Sequence, residues 1–345
     1  MASPKKATSM ISVAREYSHQ RPLVPEQHRM ISQKIHLPSL PSRPFKMADY
    51  KFIDIIGSGA QGVIYRARDL VTGETVIIKQ IKKLISPSKN NNEWSIINEV
   101  ESLSAVETIC QHHAWENPGF PSANVLCWSR FGESQTNFYI VTEYLGDYLT
   151  FREMMENEQP CTDSTVKQMI QQLITGLQMI HQVNVAHRDI KPENVMVKLH
   201  PLNIKYIDFG LSCHDDKCQD KKNVGSAIYM APELMNTQTL PTHLEQWFKA
   251  DIWSLGCMIL ELIAGSQDGK YDRSFVDIIN GTDFQDLDSL FAFIRGLEET
   301  KMQTVYLTRY LDYCRQYRVD VQLIQYAKHV VFPTMVTINP DDRKL

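Results

Sequence analysis

Six side chains in this sequence carry groups that can handle phosphate, a metal ion and a proton together. Lys79 ends the alternating run Val76-Ile77-Ile78-Lys79, and Glu99 follows on a segment with helical spacing. A lysine on a half-buried strand needs an anionic partner. Glu99 can supply it, and such a pair would hold an ammonium against two phosphates of a nucleotide. Asp189, Lys191 and Asn194 lie within His187-Arg188-Asp189-Ile190-Lys191-Pro192-Glu193-Asn194, and Asp208 opens the later Asp208-Phe209-Gly210. ATP brings four negative charges, which metal ions must neutralise; Asn194 and Asp208 are hard oxygen ligands suited to Mg²⁺. Asp189 can orient an attacking hydroxyl and accept its proton, and Lys191 can meet charge on a phosphoryl group in transfer. Upstream, Gly57, Gly59 and Gly62 form G-x-G-x-x-G. A dinucleotide site would have that motif open a helix. Here Val63-Ile64-Tyr65 continues as a strand, which favours a hairpin flap whose backbone N–H groups approach phosphates.

The elements that must position these groups change character along the chain. Residues 50–57, 62–69 and 75–81 read as three short antiparallel strands, and 125–131 and 138–144 as two more. Residues 92–107 read as a helix with Ile96, Val100 and Leu103 on one face. Beyond Thr150 the signals are helical: 165–183 with Met169, Leu173, Leu177 and Ile180 on one stripe, then 250–264, then several helices to Val331. A strand pair, 195–197 and 204–207, interrupts them. The expected fold class is α+β, with a strand-rich N-lobe of about residues 48–142, a hinge at 143–147 and a helical C-lobe at 148–345. No internal repeat is present.

Composition bounds the rest. The chain has 345 residues, 43% apolar and 22% charged, which supports a sizeable core and excludes a wholly disordered, collagen-like or fibrous chain. No apolar run reaches about 20 residues, so an ordinary membrane-spanning helix is not expected. The net charge of −4 conceals a basic segment of +6 over residues 1–47 and a body of −10. The acidic body argues against nucleic acid; it suits basic partners or is simply a solvated surface. Residues 1–47 contain six prolines and no glycine and read as a disordered tail. Its P-x-x-P segments, Pro38 to Pro41 and Pro41 to Pro44, fit either a linker or a ligand for an aromatic-lined groove. Seven scattered cysteines and no apolar leader predict a reducing, intracellular setting, cytoplasmic or nuclear, with Cys213 and Cys218 as unpaired thiols.

With Ala231-Pro232-Glu233 following in order, residues 50–345 resemble the eukaryotic protein kinase family. The resemblance implies a two-lobed fold with ATP and Mg²⁺ in the cleft and protein substrates. Thr142 would be the gatekeeper, and Glu143 to Leu145 the hinge whose backbone meets adenine. Val63, Ile77 and Met196 would enclose the base. Ile77 stands where the family usually has Ala, which should narrow that pocket. Asp251, opening Asp251-Ile252-Trp253, would bond the catalytic-loop backbone, and Arg343 would pair with Glu233. The chain stops two residues after Arg343, so a last helix of the family is expected to be missing or very divergent.

Ile190-Lys191-Pro192-Glu193-Asn194 and Gly225-Ser226 resemble the Ser/Thr class. Glu193 and Glu261 match positions that meet a substrate arginine in basophilic relatives, which implies basic residues before the acceptor. No hydroxyl residue occurs at 220–224, where an activating phosphate is usual. Asp215, Asp216 and Asp220 are expected to place fixed negative charge near Arg188, or to face solvent. A scaffold without activity is the alternative reading; Lys79, Asp189, Asn194 and Asp208, all present, favour an enzyme. A small-molecule kinase is disfavoured by Ala231-Pro232-Glu233 with Gly225-Ser226, which resembles a peptide-docking loop.

Overall fold

Alternating β-branched and aromatic residues build the first half of the chain into a sheet. The computed structural model describes residues 44–59, 62–83, 91–116, 124–157, 161–215, 218, 225–235, 241–267, 273–281, 289–290, 292–293 and 300–345. The tail to residue 43, residues 60–61 of the glycine loop, and Asp216 and Asp220 lie outside them. Strands β1 (Tyr50–Gly59), β2 (Gly62–Asp69), β3 (Thr75–Lys82), β4 (Trp128–Glu133) and β5 (Asn137–Glu143) form one antiparallel sheet in the order β1-β2-β3-β5-β4. Side chains alternate between its faces. Ala67, Val76, Ile78, Tyr139 and Val141 make a small outer cluster, to which Phe45 and Tyr65 add. Phe45 stacks on Tyr50 and Tyr139, so packing begins two residues inside the segment read as tail.

Helix α1 (Asn91–Glu116) lies on the other face, with Ile96, Val100, Leu103 and Val106 buried in the main core. It runs nine residues past its expected end because Val106 and Cys110 continue the buried face. Strand β4 starts three residues late. Val125 instead bridges Tyr206, and Leu126 N–H donates to Tyr206 C=O at 2.9 Å. These bonds join the strand-rich lobe to the helical one.

In the helical lobe, α2 is Phe151–Glu156 and α3 is Asp163–Gln182. Thr162 caps α3 by accepting the Thr165 N–H at 3.2 Å. The short strand pair is Val195–Leu199 with Leu202–Tyr206. Helix α4 (Leu244–Gly265) is buried on every side from Ala250 to Gly265 except at Ser254, as a helix apolar all round must be. It begins six residues earlier than its apolar run. The Gln246 side-chain oxygen Oε1 accepts the N–H groups of Thr242 (2.8 Å) and His243 (3.3 Å) and closes its first turn.

The cysteine reading is corrected. Cys213 is bonded to Cys218, and Cys110 to Cys127, while Cys257 and Cys314 are buried thiols. Cys110 lies on α1, and Cys213 pairs with Ala186 as a strand, placements that spacing along the chain does not reveal.

Candidate active site

Strand β3 delivers Lys79 to the inner face of the sheet, where α1 presents Glu99. Lys79 Nζ donates to Glu99 Oε1 at 2.6 Å and to Asp208 Oδ1 at 3.3 Å. Burial alone would lower the lysine's pKa, but the two carboxylates outweigh it and hold it above its ordinary value. Burial pushes Asp208 up, yet Lys79 and the Gly210 N–H carry it net below the usual carboxylate range. The ammonium is therefore fixed between two acids and available to an anion in the cleft.

Asp189 and Asp208 are carried on loops with backbone that ordinary residues rarely adopt: Arg188 has φ 65° and Asp208 φ 60°. Such conformations persist only where their surroundings over-determine them. Asp251, at the buried core of α4, accepts the N–H groups of His187 and Arg188, each at 2.8 Å. The His187 ring lies 3.0 Å from Ile207 C=O through Nε2, which ties the Asp189 loop to the Asp208 loop. Gly225 (φ +105°) passes so close that a Cβ there would lie 2.7 Å from Arg188 C=O.

Around Asp189, the Asn194 amide donates to Oδ2 at 2.9 Å and to the Asp189 carbonyl at 2.8 Å. Ser226 Oγ donates to Oδ1 at 3.0 Å, and Lys191 Nζ lies 2.8 Å from Oδ2 and 2.9 Å from Ser226 Oγ. Asn194 spends its N–H groups on Asp189, so its carbonyl oxygen is the group left for a cation. With the Asp208 carboxylate it makes a hard-oxygen pair of the kind Mg²⁺ takes alongside phosphate oxygens. The donor set fits that ion.

One pocket assignment changes. Directly opposed residues share a face of the sheet. Ile77 opposes Thr142, Lys79 opposes Ile140 and Ile64, and Val63 opposes Gln80. Ile64, not Val63, therefore shares the face of Ile77, Lys79 and Thr142, while Val63 shares the outer face with Tyr65. A Cβ at Gly57 would touch Ile64 at 3.6 Å. Gly62 (φ +131°) has no room for a side chain, because a Cβ would strike Gln80 C=O. Met196 is half-buried on the short strand pair, and Leu145 follows β5 in the connection between the lobes.

Glu143 holds a contact that sequence reading missed. Its Oε1 accepts from Cys127 N–H at 2.7 Å and from Lys205 Nζ at 2.6 Å. Lys205 is fully buried, also donates to Val125 C=O at 3.1 Å, and has its pKa lowered by burial against the pull of Glu143. Nothing in the alternation of its strand marks it, because Ile204 and Tyr206 beside it are buried too. The acid pair expected to meet a substrate arginine is engaged inside the chain. Arg152 donates to Glu193 Oε1 at 3.1 Å and to Tyr229 Oη at 2.8 Å, and Tyr229 donates to Glu261 Oε2 at 2.8 Å. Glu261 is buried, so only Glu193 keeps surface. Asp215, expected either near Arg188 or in solvent, is exposed, with its carboxylate 3.4 Å from the His214 ring. Arg343 and Glu233 pair through two bonds, 2.6 and 2.8 Å, with Arg343 fully buried.

An antiparallel sheet over a helical lobe, with a lysine, two aspartates and an asparagine converging between them, defines a protein kinase fold. The family model for the protein kinase domain matches residues 50–285, and the chain belongs to that family. It is similar to calcium-dependent protein kinase 4 of Plasmodium falciparum, 32% identical over 221 residues covering 63% of this chain and 37% of that protein. It is also similar to extracellular signal-regulated kinase 1 of Dictyostelium discoideum (31% over 218 residues, 62% and 37%). The MAP kinase kinase kinase mkh1 of Schizosaccharomyces pombe is 26% identical over 227 residues (64% and 19%). The matched segment thus spans well under half the length of these relatives. Among the described residues, no helix is long and apolar enough to cross a membrane.

Proposed function

We propose that this protein transfers the γ-phosphoryl group of ATP to Ser or Thr hydroxyls of proteins. The observation that carries the reading is the intact constellation of Lys79, Glu99 and Asp208 at ion-pair distance beside Asp189 and Asn194. Ile64, Ile77 and Thr142 offer the purine an apolar wall, and Lys79 and the glycine flap hold its phosphates. Asp189 aligns the acceptor hydroxyl and takes its proton as oxygen bonds to the γ-phosphorus and the bond to the ADP oxygen breaks. Lys191, beside Asp189, meets the charge on the group in transfer. Mg²⁺ held by Asn194 and Asp208 would neutralise phosphate charge. Ser/Thr specificity is supported by the Lys191-Pro192-Glu193-Asn194 run and by Ser226 at Asp189. A basic residue before the acceptor would have Glu193 alone to meet.

The test is incubation of the purified protein with Mg-ATP and a degenerate peptide mixture. Phosphoserine and phosphothreonine are expected, and Lys79→Met should lower the rate by orders of magnitude, since positioning and electrostatics supply nearly all catalysis in this class. Unchanged activity in Asp189→Asn, or phosphotyrosine as the product, refutes the assignment. ATP binding without transfer favours a scaffold.

A further inference from the structure

Arg188 holds a strained backbone immediately before Asp189, so whatever fixes Arg188 fixes the proposed base. Two clamps act on its backbone: Asp251 on the N–H and Gly225 against the C=O. The third acts on its side chain. The guanidinium carbon lies 4.4 Å from the centroid of the Trp247 ring, in the first turn of α4. Both residues are buried, Trp247 completely. A cation over an indole face is held most strongly where water is excluded.

Trp247 is itself anchored. Its Nε1–H donates to Cys218 C=O at 3.0 Å. Cys218 is buried and joined to Cys213, which pairs as a strand with Ala186, next to His187. Asp215 N–H, inside the disulfide-closed loop, donates to Asn184 C=O at 3.0 Å. A closed circuit results. The segment after Asp208 is covalently looped, its carbonyl holds the indole, the indole holds Arg188, and Arg188 leads into Asp189.

We propose that Trp247 is a positioning residue for phosphoryl transfer, acting through Arg188 and anchored by the Cys213–Cys218 loop. The proposal rests on the kinase reading above. It assigns to an aromatic ring and a disulfide the ordering of the catalytic loop.

The experiment measures kcat and KM for peptide phosphorylation in the parent and in Trp247→Leu, Trp247→Phe, Arg188→Met and the double variant Arg188→Met/Trp247→Leu. Trp247→Leu should lower kcat about tenfold, the scale of a desolvated cation–π contact, and leave KM for ATP within about twofold. Trp247→Phe keeps a smaller ring under Arg188 and loses the indole N–H, so an intermediate fall of about threefold is expected. In the Arg188→Met background, Trp247→Leu should change kcat by less than about twofold, because its target is gone. Cys213→Ala/Cys218→Ala should slow the parent more than it slows Trp247→Phe, since that variant no longer donates to Cys218. Parent-like kcat in Trp247→Leu overturns the proposal. So does an equal loss in both Arg188 backgrounds, which would make Trp247 merely structural. A parent that transfers no phosphate removes the kinase reading and this proposal with it; an active parent with indifferent Trp247 variants removes this proposal alone.

Discussion

Glu261 lies at the centre of the helical lobe with a carboxyl group that titrates near neutrality. It is 2% exposed, and its oxygens accept from Tyr229 Oη at 2.8 Å and Phe275 N–H at 2.9 Å. Burial raises its pKa from 4.5 to about 7, against the pull of Arg152. The folded protein therefore keeps this proton over a range in which the unfolded chain has released it. The stabilisation is complete below about pH 4.5 and is lost as pH rises through about 7. That gap, at about 1.4 kcal/mol per pH unit, is worth about 3 kcal/mol. Glu261→Gln removes the titration and keeps the shape. Urea unfolding of both proteins from pH 5 to pH 8 isolates the effect, because every other group cancels in the difference. The parent should lose about 2.5 kcal/mol relative to the variant across that range, most of it below pH 7. Parallel curves would refute the reasoning. A parent that gains on the variant as pH rises would show that Arg152 holds Glu261 ionised.

Three further outcomes are expected. Gly225→Ala forces a Cβ to 2.7 Å from Arg188 C=O at a φ of +105°, so phosphotransfer should fall at least about tenfold; parent-like turnover in peptide assays would show that the loop yields freely. Ile77→Ala opens the wall beside Thr142, where overpacking of a tight site costs about 1–3 kcal/mol. It should tighten ATP or admit bulkier purine analogues, and titration with both kinds of nucleotide decides. Arg343→Met leaves the Glu233 carboxylate without its cation and should cost about 3–5 kcal/mol in urea unfolding, whereas loss of an exposed pair would cost under about 1 kcal/mol.

The residues that meet in the cleft were legible because each belongs to a short, ordered run: Lys79 in Val76-Ile77-Ile78-Lys79, and Asp189 and Asn194 within eight residues. The contacts of Asp251 with the loop and of Arg343 with Glu233 followed from the same resemblance. What spacing could not settle was which face a side chain takes. Val63 and Ile64 are equally apolar, and only the strand register places Ile64 with Lys79. Cys110 and Cys127 are seventeen residues apart on a helix and a strand approach, and nothing local signals their bond. Trp247 precedes the apolar run of α4, and its part lies in what it touches, Arg188 and Cys218. Lys205 has no periodic signature at all.

Lys205 also has a mechanical consequence. It belongs to the helical lobe, yet its bonds end on Glu143 and Val125, where the sheet lobe begins and ends its path around the back of the cleft. Separating those partners would strand a buried cation, so this spot resists both stretching and sliding. With the Val125 and Leu126 bonds to Tyr206, the Lys205 ammonium rivets the end of β5 and the approach to β4 to the helical lobe at the back of the cleft.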